Sequence, residues 1–301
     1  MGQLSGELRS GFVALAGRPN VGKSTLANAI VGAKVAIVSD KPQTTRRAIR
    51  GVANGPGWQL VLVDLPGVQR PRDALTERMQ GRVEHELGDA DGALLVVCAD
   101  TSPPIGPGDR FIARLLVGAG VPVTIAVNKI DRAPRAKVAD ALAQAAQLVP
   151  GAEVFPVSAR TGEGVGVLVA QLVSLLPPGP PYFPGEQRSD QAPEVLLAEL
   201  VREQVLARTR EEVPHAVEVQ VEEIDRTGAG VIRVKATVLA ETESQKGILI
   251  GAGGRMIKAV GVAARRSMER ELGGHVHLDL SVRVRRRWRA DEHLLDRLGI
   301  Q

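Results

Sequence analysis

The run Gly17-Arg18-Pro19-Asn20-Val21-Gly22-Lys23-Ser24 fits G-x-x-x-x-G-K-S/T, a spacing that holds phosphate. In such a loop backbone N–H groups surround the phosphate oxygens. The lysine reaches the β and γ phosphates, and the hydroxyl ligates Mg2+. The loop alone does not choose between adenine and guanine, but Asn128-Lys129-Ile130-Asp131 does. A carboxylate at Asp131 can accept from both the N1–H and the exocyclic amine of guanine. Adenine carries an acceptor at N1 and no amine at C2, so it would leave that charge unmet, and an unmet buried charge is costly. Asn128 is expected at the N7/O6 edge, with the stem of Lys129 covering the base.

Three further strings follow in the order a Mg2+–triphosphate site requires. Asp64-Leu65-Pro66-Gly67 can hold the ion through water at Asp64 and offer the Gly67 N–H to the γ-phosphate. Pro42-Gln43-Thr44-Thr45-Arg46 supplies a switch hydroxyl ligand to the same ion, from Thr45 first and Thr44 close behind. Ser158-Ala159-Arg160 presents backbone to guanine O6. After D-x-x-G many GTPases place a glutamine that orients the attacking water. Here the residue is Val68, which orients nothing, so either catalysis is slow or another group supplies that role.

These residues need rigid elements to hold them. Phe12–Ala16 reads as a buried strand entering the phosphate loop, and the run from Ser24 through Thr25 to Ile30 starts a helix. The phosphate then meets the positive end of the helix dipole and its free N–H groups. Leu60–Val63, Val121–Val127 and Glu153–Val157 are apolar strands, each ending at one of the motifs. Ligands of an open α/β sheet bind at that carboxyl end.

In order and spacing, GRPNVGKS, KPQTTR, DLPG, NKID and SAR resemble the Era GTPases, over about Gly11 to Gly299. The resemblance implies that a hydrophobic residue after D-x-x-G is usual, and that a K+ ion held partly by Asn20 can replace an arginine finger, with Lys23 the other catalytic group. It also implies binding near the 3′ end of 16S rRNA during small-subunit assembly, in the cytoplasm with some contact at the inner membrane. Two departures stand out. Leu65 replaces a frequent Thr, and Ser189-Asp190-Gln191 replaces Thr-Asp-Arg.

Composition sets limits that fit. At 301 residues, two domains are the prior, and 44% hydrophobic with 24% charged residues is ordinary for a globular chain. No apolar run is expected to approach the roughly 18 residues needed to span a bilayer, and no signal-peptide core is evident. The one cysteine, Cys98, reads as a core residue. It permits no internal disulfide, as suits a reducing compartment, and it weighs against tRNA-modifying relatives that carry a C-terminal cysteine motif. His275 and His277 share a strand face without acidic or cysteine partners, so exposed polar residues are expected rather than a metal site.

The chain divides visibly. A G domain over 1–176 precedes a Pro/Gly-rich stretch over 177–192, read as a semi-rigid spacer. Beyond it, Leu197, Leu200, Val201 and Val205 repeat at helix spacing, with Glu199, Arg202 and Glu203 on another face. Alternating runs mark strands around 217–221, 232–238 and 276–284, the first two joined by a turn at Asp225–Gly230. Between the inner helices lies Ile250-Gly251-Ala252-Gly253-Gly254-Arg255-Met256-Ile257. The order α-β-β-α-α-β with G-x-x-G resembles a type II KH domain over 193–301, whose glycine loop admits an RNA backbone beside a groove for about four nucleotides. Arg255 and Lys258 are the expected phosphate contacts, because Ala252 and Gly253 stand where lysine is frequent.

Charge agrees with that partner. From Lys246 onward there are twelve Lys/Arg against six Asp/Glu, whereas Pro193–Gln245 holds six against eleven. The basic side ends in Arg285-Arg286-Arg287-Trp288-Arg289, where a polyanion is a better match than a membrane surface. Trp288 can either stack on a base or pack against the last helix.

The fold class expected is an α/β P-loop GTPase domain, with a mostly parallel sheet and helices on both faces, followed by a smaller α+β type II KH domain. The function expected is a monomeric, GTP-hydrolysing, RNA-binding switch using GTP/GDP, Mg2+ and K+, with 16S rRNA and the small subunit as partners. The alternatives are a constitutive KH protein with weak GTPase, another ribosome- or tRNA-related GTPase, and a P-loop kinase, for which Asn128–Asp131 would have no purpose.

Overall fold

The structure, a computed structural model, describes residues 8–41, 43–67, 73–226 and 230–300. Pro42, Val68 and half of the turn expected at Asp225–Gly230, residues 227–229, lie outside them. The chain splits into two compact units, one formed by Met1–Ala36, Thr45–Arg70 and Met79–Asp190, the other by Ile37–Thr44, Pro71–Arg78 and Gln191–Gln301.

The first unit is built on a six-stranded sheet of β1 (Arg9–Ala16), β2 (Ile49–Gly55), β3 (Trp58–Asp64), β4 (Gly92–Cys98), β5 (Val123–Asn128) and β6 (Val154–Pro156), in the order β2-β3-β1-β4-β5-β6. Only β2 runs antiparallel; β1 pairs in parallel with β3 and β4, β4 with β5, and β5 with β6. Every residue of β4 is buried, as expected of a central strand covered on both faces. Around the sheet lie α1 (Lys23–Val31), α2 (Ala74–Gly88), α3 (Pro107–Ala119), α4 (Arg135–Ala145) and α5 (Val165–Leu175). Alternation along β1 sends Val13 and Leu15 into one core cluster with Leu26, Leu168 and Leu172, and Ala14 and Ala16 into the other with Ile112 and Leu116. Cys98 is buried in the first of these. Leu65 is fully buried in the second, so a side chain at the family's frequent Thr position here serves the core.

The Pro/Gly-rich stretch, read as a semi-rigid spacer, is tied to the sheet by hydrogen bonds. The Oε1 of the buried Gln59 accepts from the N–H groups of Tyr182 and Phe183 at 2.7 and 2.9 Å, while its Nε2 donates to the Phe183 carbonyl at 2.8 Å. The Val52 N–H donates to the Arg188 carbonyl at 2.8 Å, and Gly51 bridges to Ser189. The stretch thus pairs with edge strand β2, whose backbone groups would otherwise stand open.

The second unit holds α6 (Pro193–Leu206), α7 (Val213–Ala216), β7 (Glu218–Asp225), β8 (Val231–Ala240), α8 (Glu243–Ile250), α9 (Arg255–Leu272), β9 (His275–Val284) and α10 (Glu292–Arg297). Its three strands lie in the order β7-β8-β9, with β7 antiparallel and β9 parallel to β8. The polar face expected on α6 is buried: Glu199, Arg202 and Glu203 are 3%, 0% and 9% exposed. Arg202 donates to both carboxylate oxygens of Glu199, at 3.1 and 2.6 Å, and lies 3.8 Å from Glu218. A guanidinium held between two carboxylates can be buried where a lone one could not. Its remaining donors reach the carbonyls of Gln43 (3.4 Å) and Thr44, and the Glu203 carboxylate accepts the Val38 N–H at 3.0 Å.

One further expectation is corrected, and one of the two readings of Trp288 is selected. One 18-residue window within Glu243–Leu272 reaches a mean hydropathy of 1.4, so a run long and apolar enough to span exists by composition. Gly251, Gly253 and Gly254, at φ of 70°, 61° and 75°, break it into α8 and α9. Trp288 is fully buried and donates its indole N–H to the Ala216 carbonyl at 2.8 Å, so it belongs to the fold and has no face free to stack on a base.

Candidate functional site

The phosphate-loop residues Gly17 to Ser24 and Thr25 join β1 to α1, and Gly22 forms the left-handed N-terminus of that helix at φ 96°. A Cβ on Gly22 would stand 2.4 Å from Asn128 Nδ2, so glycine is what lets the loop close against β5. Lys23 is buried and donates to the Gly17 and Arg18 carbonyls at 3.0 and 3.2 Å. Burial lowers its pKa, partly offset by the nearby Asp64. Pro19 lies against Gly67, 3.2 Å from where a Cβ there would stand, and Asn20 sits exposed with a left-handed backbone, φ 65°.

Three oxygen side chains from separate segments converge beside the loop. Ser24 Oγ donates to Asp64 Oδ2 at 2.6 Å, Thr45 Oγ1 lies 3.0 Å from Ser24 Oγ, and it reaches Asp64 Oδ2 at 3.4 Å. The adjacent Thr44 turns its hydroxyl to the Lys41 carbonyl at 2.6 Å, so of the two only Thr45 joins the cluster. Burial raises the Asp64 pKa, against Lys23 and the two hydroxyls, which lower it. The other oxygen of this carboxylate, Oδ1, is buried without a hydrogen-bond partner. Hard oxygen donors around an under-satisfied buried carboxylate suit Mg2+, which takes few protein ligands and keeps waters that such an oxygen can accept from. Leu65 and Pro66 are buried behind Asp64, which ends β3.

At the end of β5, the Asn128 amide joins two loops. Its Nδ2 donates to the Val21 carbonyl at 2.9 Å and its Oδ1 accepts the Ala159 N–H at 3.0 Å. These two bonds leave the second N–H of the amide unused by them. Asp131 Oδ1 accepts from the buried Ser158 hydroxyl at 2.7 Å, and the exposed Arg160 guanidinium lies 2.9 Å from Oδ2. The Ser158 bond first, then the charge of Arg160, hold the Asp131 carboxyl below its ordinary range. Lys129, in left-handed conformation, lies 3.6 Å from Asp100. The loop Gly17–Ser24, the hydroxyl–carboxylate cluster and the Asp131 carboxylate therefore stand along one end of the sheet. Two residues were missed in sequence: Asp109, which anchors Arg18, and Arg202, whose i, i+3 pairing with Glu199 looks like any solvated helix face.

In the second unit, Ile250 ends α8, and the loop Gly251-Ala252-Gly253-Gly254 leads into Arg255 at the start of α9. Ala252 and Gly253 are exposed at its tip. A Cβ on Gly251 would stand 2.8 Å from that of Met256, whereas Gly253 and Gly254 face open space. Arg255 turns its Nε to the Ala252 carbonyl at 3.2 Å, and Lys258 is exposed one turn on. Ile257 packs partly into the core, and Ile248 and Val262 are exposed apolar side chains flanking the loop in sequence. Register pairs Ala240 with Val284, so Arg285, Arg286 and Arg287 leave the sheet at the end from which α8 departs. Arg286 and Arg287 are exposed, while Arg285 is paired with Asp291 at 2.6 Å. His275 and His277 are exposed, and among the described residues no group of three or more His, Cys, Asp or Glu could hold a metal ion.

Comparison with known proteins agrees with this geometry. Residues 12–129 match the 50S ribosome-binding GTPase family and residues 212–289 the KH domain family. A GTPase Era of Mycobacterium bovis (strain BCG / Pasteur 1173P2) is 45% identical over 299 residues, covering 97% of this chain and 99% of that protein. The crystal structure of a single-substitution variant of Aquifex aeolicus Era bound to GDP·AlF4− superposes with a TM-score of 0.91 at 34% identity, over 97% of this chain and 99% of that one. An Era in complex with MgGDPNP and nucleotides 1506–1542 of 16S ribosomal RNA gives 0.92 at 33%, with the same coverage. With a guanine-type P-loop site on one unit, a glycine-loop KH fold on the other, and relatives matched end to end, the chain belongs to the Era family of GTPases.

Proposed function

We propose that this chain binds GTP with Mg2+, hydrolyses it, and uses the nucleotide state to control binding of RNA near the 3′ end of 16S rRNA during small-subunit maturation, in the cytoplasm. The observation that carries the nucleotide half is the convergence of Ser24, Thr45 and Asp64 on one point, with a partnerless Asp64 oxygen beside it. In this reading Ser24 and Thr45 ligate Mg2+, Asp64 holds it through water, and the bound ion supplies charge neutralisation on the phosphates. Lys23 and the loop amides from Gly17 to Thr25 bind phosphate. Asn128, Lys129, Asp131 and the Ser158-Ala159-Arg160 backbone bind guanine. Asn20, exposed at the loop tip, ligates K+, which predicts faster hydrolysis in K+ than in Na+; equal rates would remove that role.

The RNA half is supported by the exposed glycine loop with Arg255 and Lys258 following it, by the exposed Arg286 and Arg287 after β9, and by the rRNA complex of the 33%-identical relative. The functional division is 1–176 for nucleotide and 193–301 for RNA. The test is binding of a labelled 16S rRNA 3′-end fragment with a GTP analogue, with GDP and without nucleotide, at fixed salt. Tight binding only with the analogue is expected. Equal binding in all three states would uncouple the GTPase from RNA, and no binding would remove this RNA as the target.

A further inference from the structure

The tetrapeptide Gly106-Pro107-Gly108-Asp109, at the start of α3, forms a seat for the side chain of Arg18. Asp109 is fully buried, accepts the Gly106 N–H at 2.8 Å through Oδ2, and accepts Arg18 Nε at 2.8 Å through Oδ1. Its carboxylate therefore has both a backbone cap and a guanidinium, and it lies at the helix end where the dipole favours negative charge. A Cβ on Gly108 would stand 2.8 Å from Arg18 Cδ, so the absence of a side chain there leaves room for the arginine stem. Arg18 is only partly exposed, and its Nη2 is buried with no hydrogen-bond partner. The guanidinium is thus oriented by one carboxylate, 91 residues away in sequence.

The other end of Arg18 matters for the phosphates. Its carbonyl is one of the two that accept from Lys23 Nζ, the Gly17 carbonyl being the other. Lys23 is buried, so the direction of its ammonium depends on those two acceptors. A freely rotating Arg18 peptide would leave it one acceptor short.

We propose that Asp109 is a positioning residue for the phosphate loop, acting through Arg18 on Lys23. It touches no phosphate; it fixes the backbone that aims the lysine. This rests on the nucleotide reading of the loop given above. A charge-assisted contact weakened at one remove is expected to raise KM for GTP about tenfold in Asp109→Asn. The chemical groups stay in place, so kcat is expected to hold within about threefold.

The experiment is steady-state GTP hydrolysis by the full chain, wild type beside Asp109→Asn, Arg18→Ala and the double variant, with the melting temperature of each nucleotide-free protein. Because both residues act along one line, the double variant should be no worse than the poorer single one. The proposal is overturned by an unchanged KM in Asp109→Asn or by additive effects. It is equally overturned if KM rises only in proteins whose melting shows them partly unfolded at the assay temperature. Asp109→Asn is nearly isosteric; should it not fold, Arg18→Lys, which keeps charge but lacks Nε, must show the same rise in KM. A wild type that fails to hydrolyse GTP would instead strike at the nucleotide reading itself.

Discussion

Replacing Asp131 by Asn tests the base-reading role at its most exposed chemical point. The carboxylate accepts the Ser158 hydroxyl at Oδ1, at 2.7 Å, and its Oδ2 lies 2.9 Å from the Arg160 guanidinium as an ion pair without a hydrogen bond of its own. Ser158 is fully buried and keeps its donor aimed at Oδ1, so an asparagine at this position keeps its carbonyl there and turns its amide toward the place of Oδ2. That amide is a donor facing the two N–H donors of guanine. Two charge-assisted bonds of about 1.5–3 kcal/mol each are replaced by at most one neutral bond of about 1 kcal/mol. The net loss is about 2–5 kcal/mol, on the order of 30-fold to a few thousand-fold in affinity for GDP. Xanthine carries a carbonyl where guanine has its amine, so the same substitution should gain the xanthine nucleotide while losing the guanine one. Arg160, 74% exposed at its side chain, can turn to water, so the fold should be little affected. Competition of GDP and XDP against a fluorescent GDP at fixed Mg2+, with a melting curve of the nucleotide-free variant, measures all of this. A loss below about threefold for GDP, with an unchanged melting curve, would refute the assignment of Asp131 to the base.

Arg202→Ala removes the cation facing the buried Glu199 and Glu218, and should cost about 3–5 kcal/mol in chemical denaturation of the second unit; under 1 kcal/mol would deny the network its role. Asp substituted together at Ala252 and Gly253 meets no steric conflict at the open Gly253, and Asp tolerates its left-handed backbone. RNA affinity should therefore drop more than about tenfold by phosphate repulsion while GTP hydrolysis and melting stay near wild type. Asp131 titrates below its ordinary 3.8, so the stability it contributes is complete above that value and is lost only as pH falls through the lowered pKa. GDP affinity should accordingly be flat in this group from pH 8 to about 5, and Ser158→Ala should move the acid fall-off to higher pH; an unmoved fall-off would mean the hydroxyl is not what holds the carboxyl down.

Much of the site was readable because its motifs are contiguous and each sits where an apolar strand ends. Gly17–Ser24 and Asn128–Asp131 carry their chemistry in local spacing, and the strands before them announce themselves as unbroken apolar runs. Thr45 was preferred to Thr44 in sequence by a narrow margin, and the hydrogen bond from Thr44 Oγ1 to the Lys41 carbonyl supports that preference. What stayed hidden depends on pairing across long separations. Glu199 and Arg202 look like an exposed helix face until Glu218 and the carbonyls of Gln43 and Thr44 are seen around them. Asp109 looks like an ordinary helix cap until Arg18 arrives. Trp288 carried two readings because an indole serves a core and a base equally well; only the Ala216 carbonyl decides between them.

The pairing of the Pro/Gly-rich stretch with β2 makes its length a fixed quantity. Pro178 is bridged to Arg9 near one end and Ser189 to Gly51 near the other, with Gln59 holding Tyr182 and Phe183 between. Although its composition is that of a tolerant hinge, insertions or deletions between those anchors would shift one set of bonds out of step with the other. A fragment cut at Leu176 would bare the edge of β2 and strand a buried amide, and would be expected to self-associate through that edge. One that runs through Asp190 would retain its own cover, so the natural place to divide this chain lies after the prolines rather than before them.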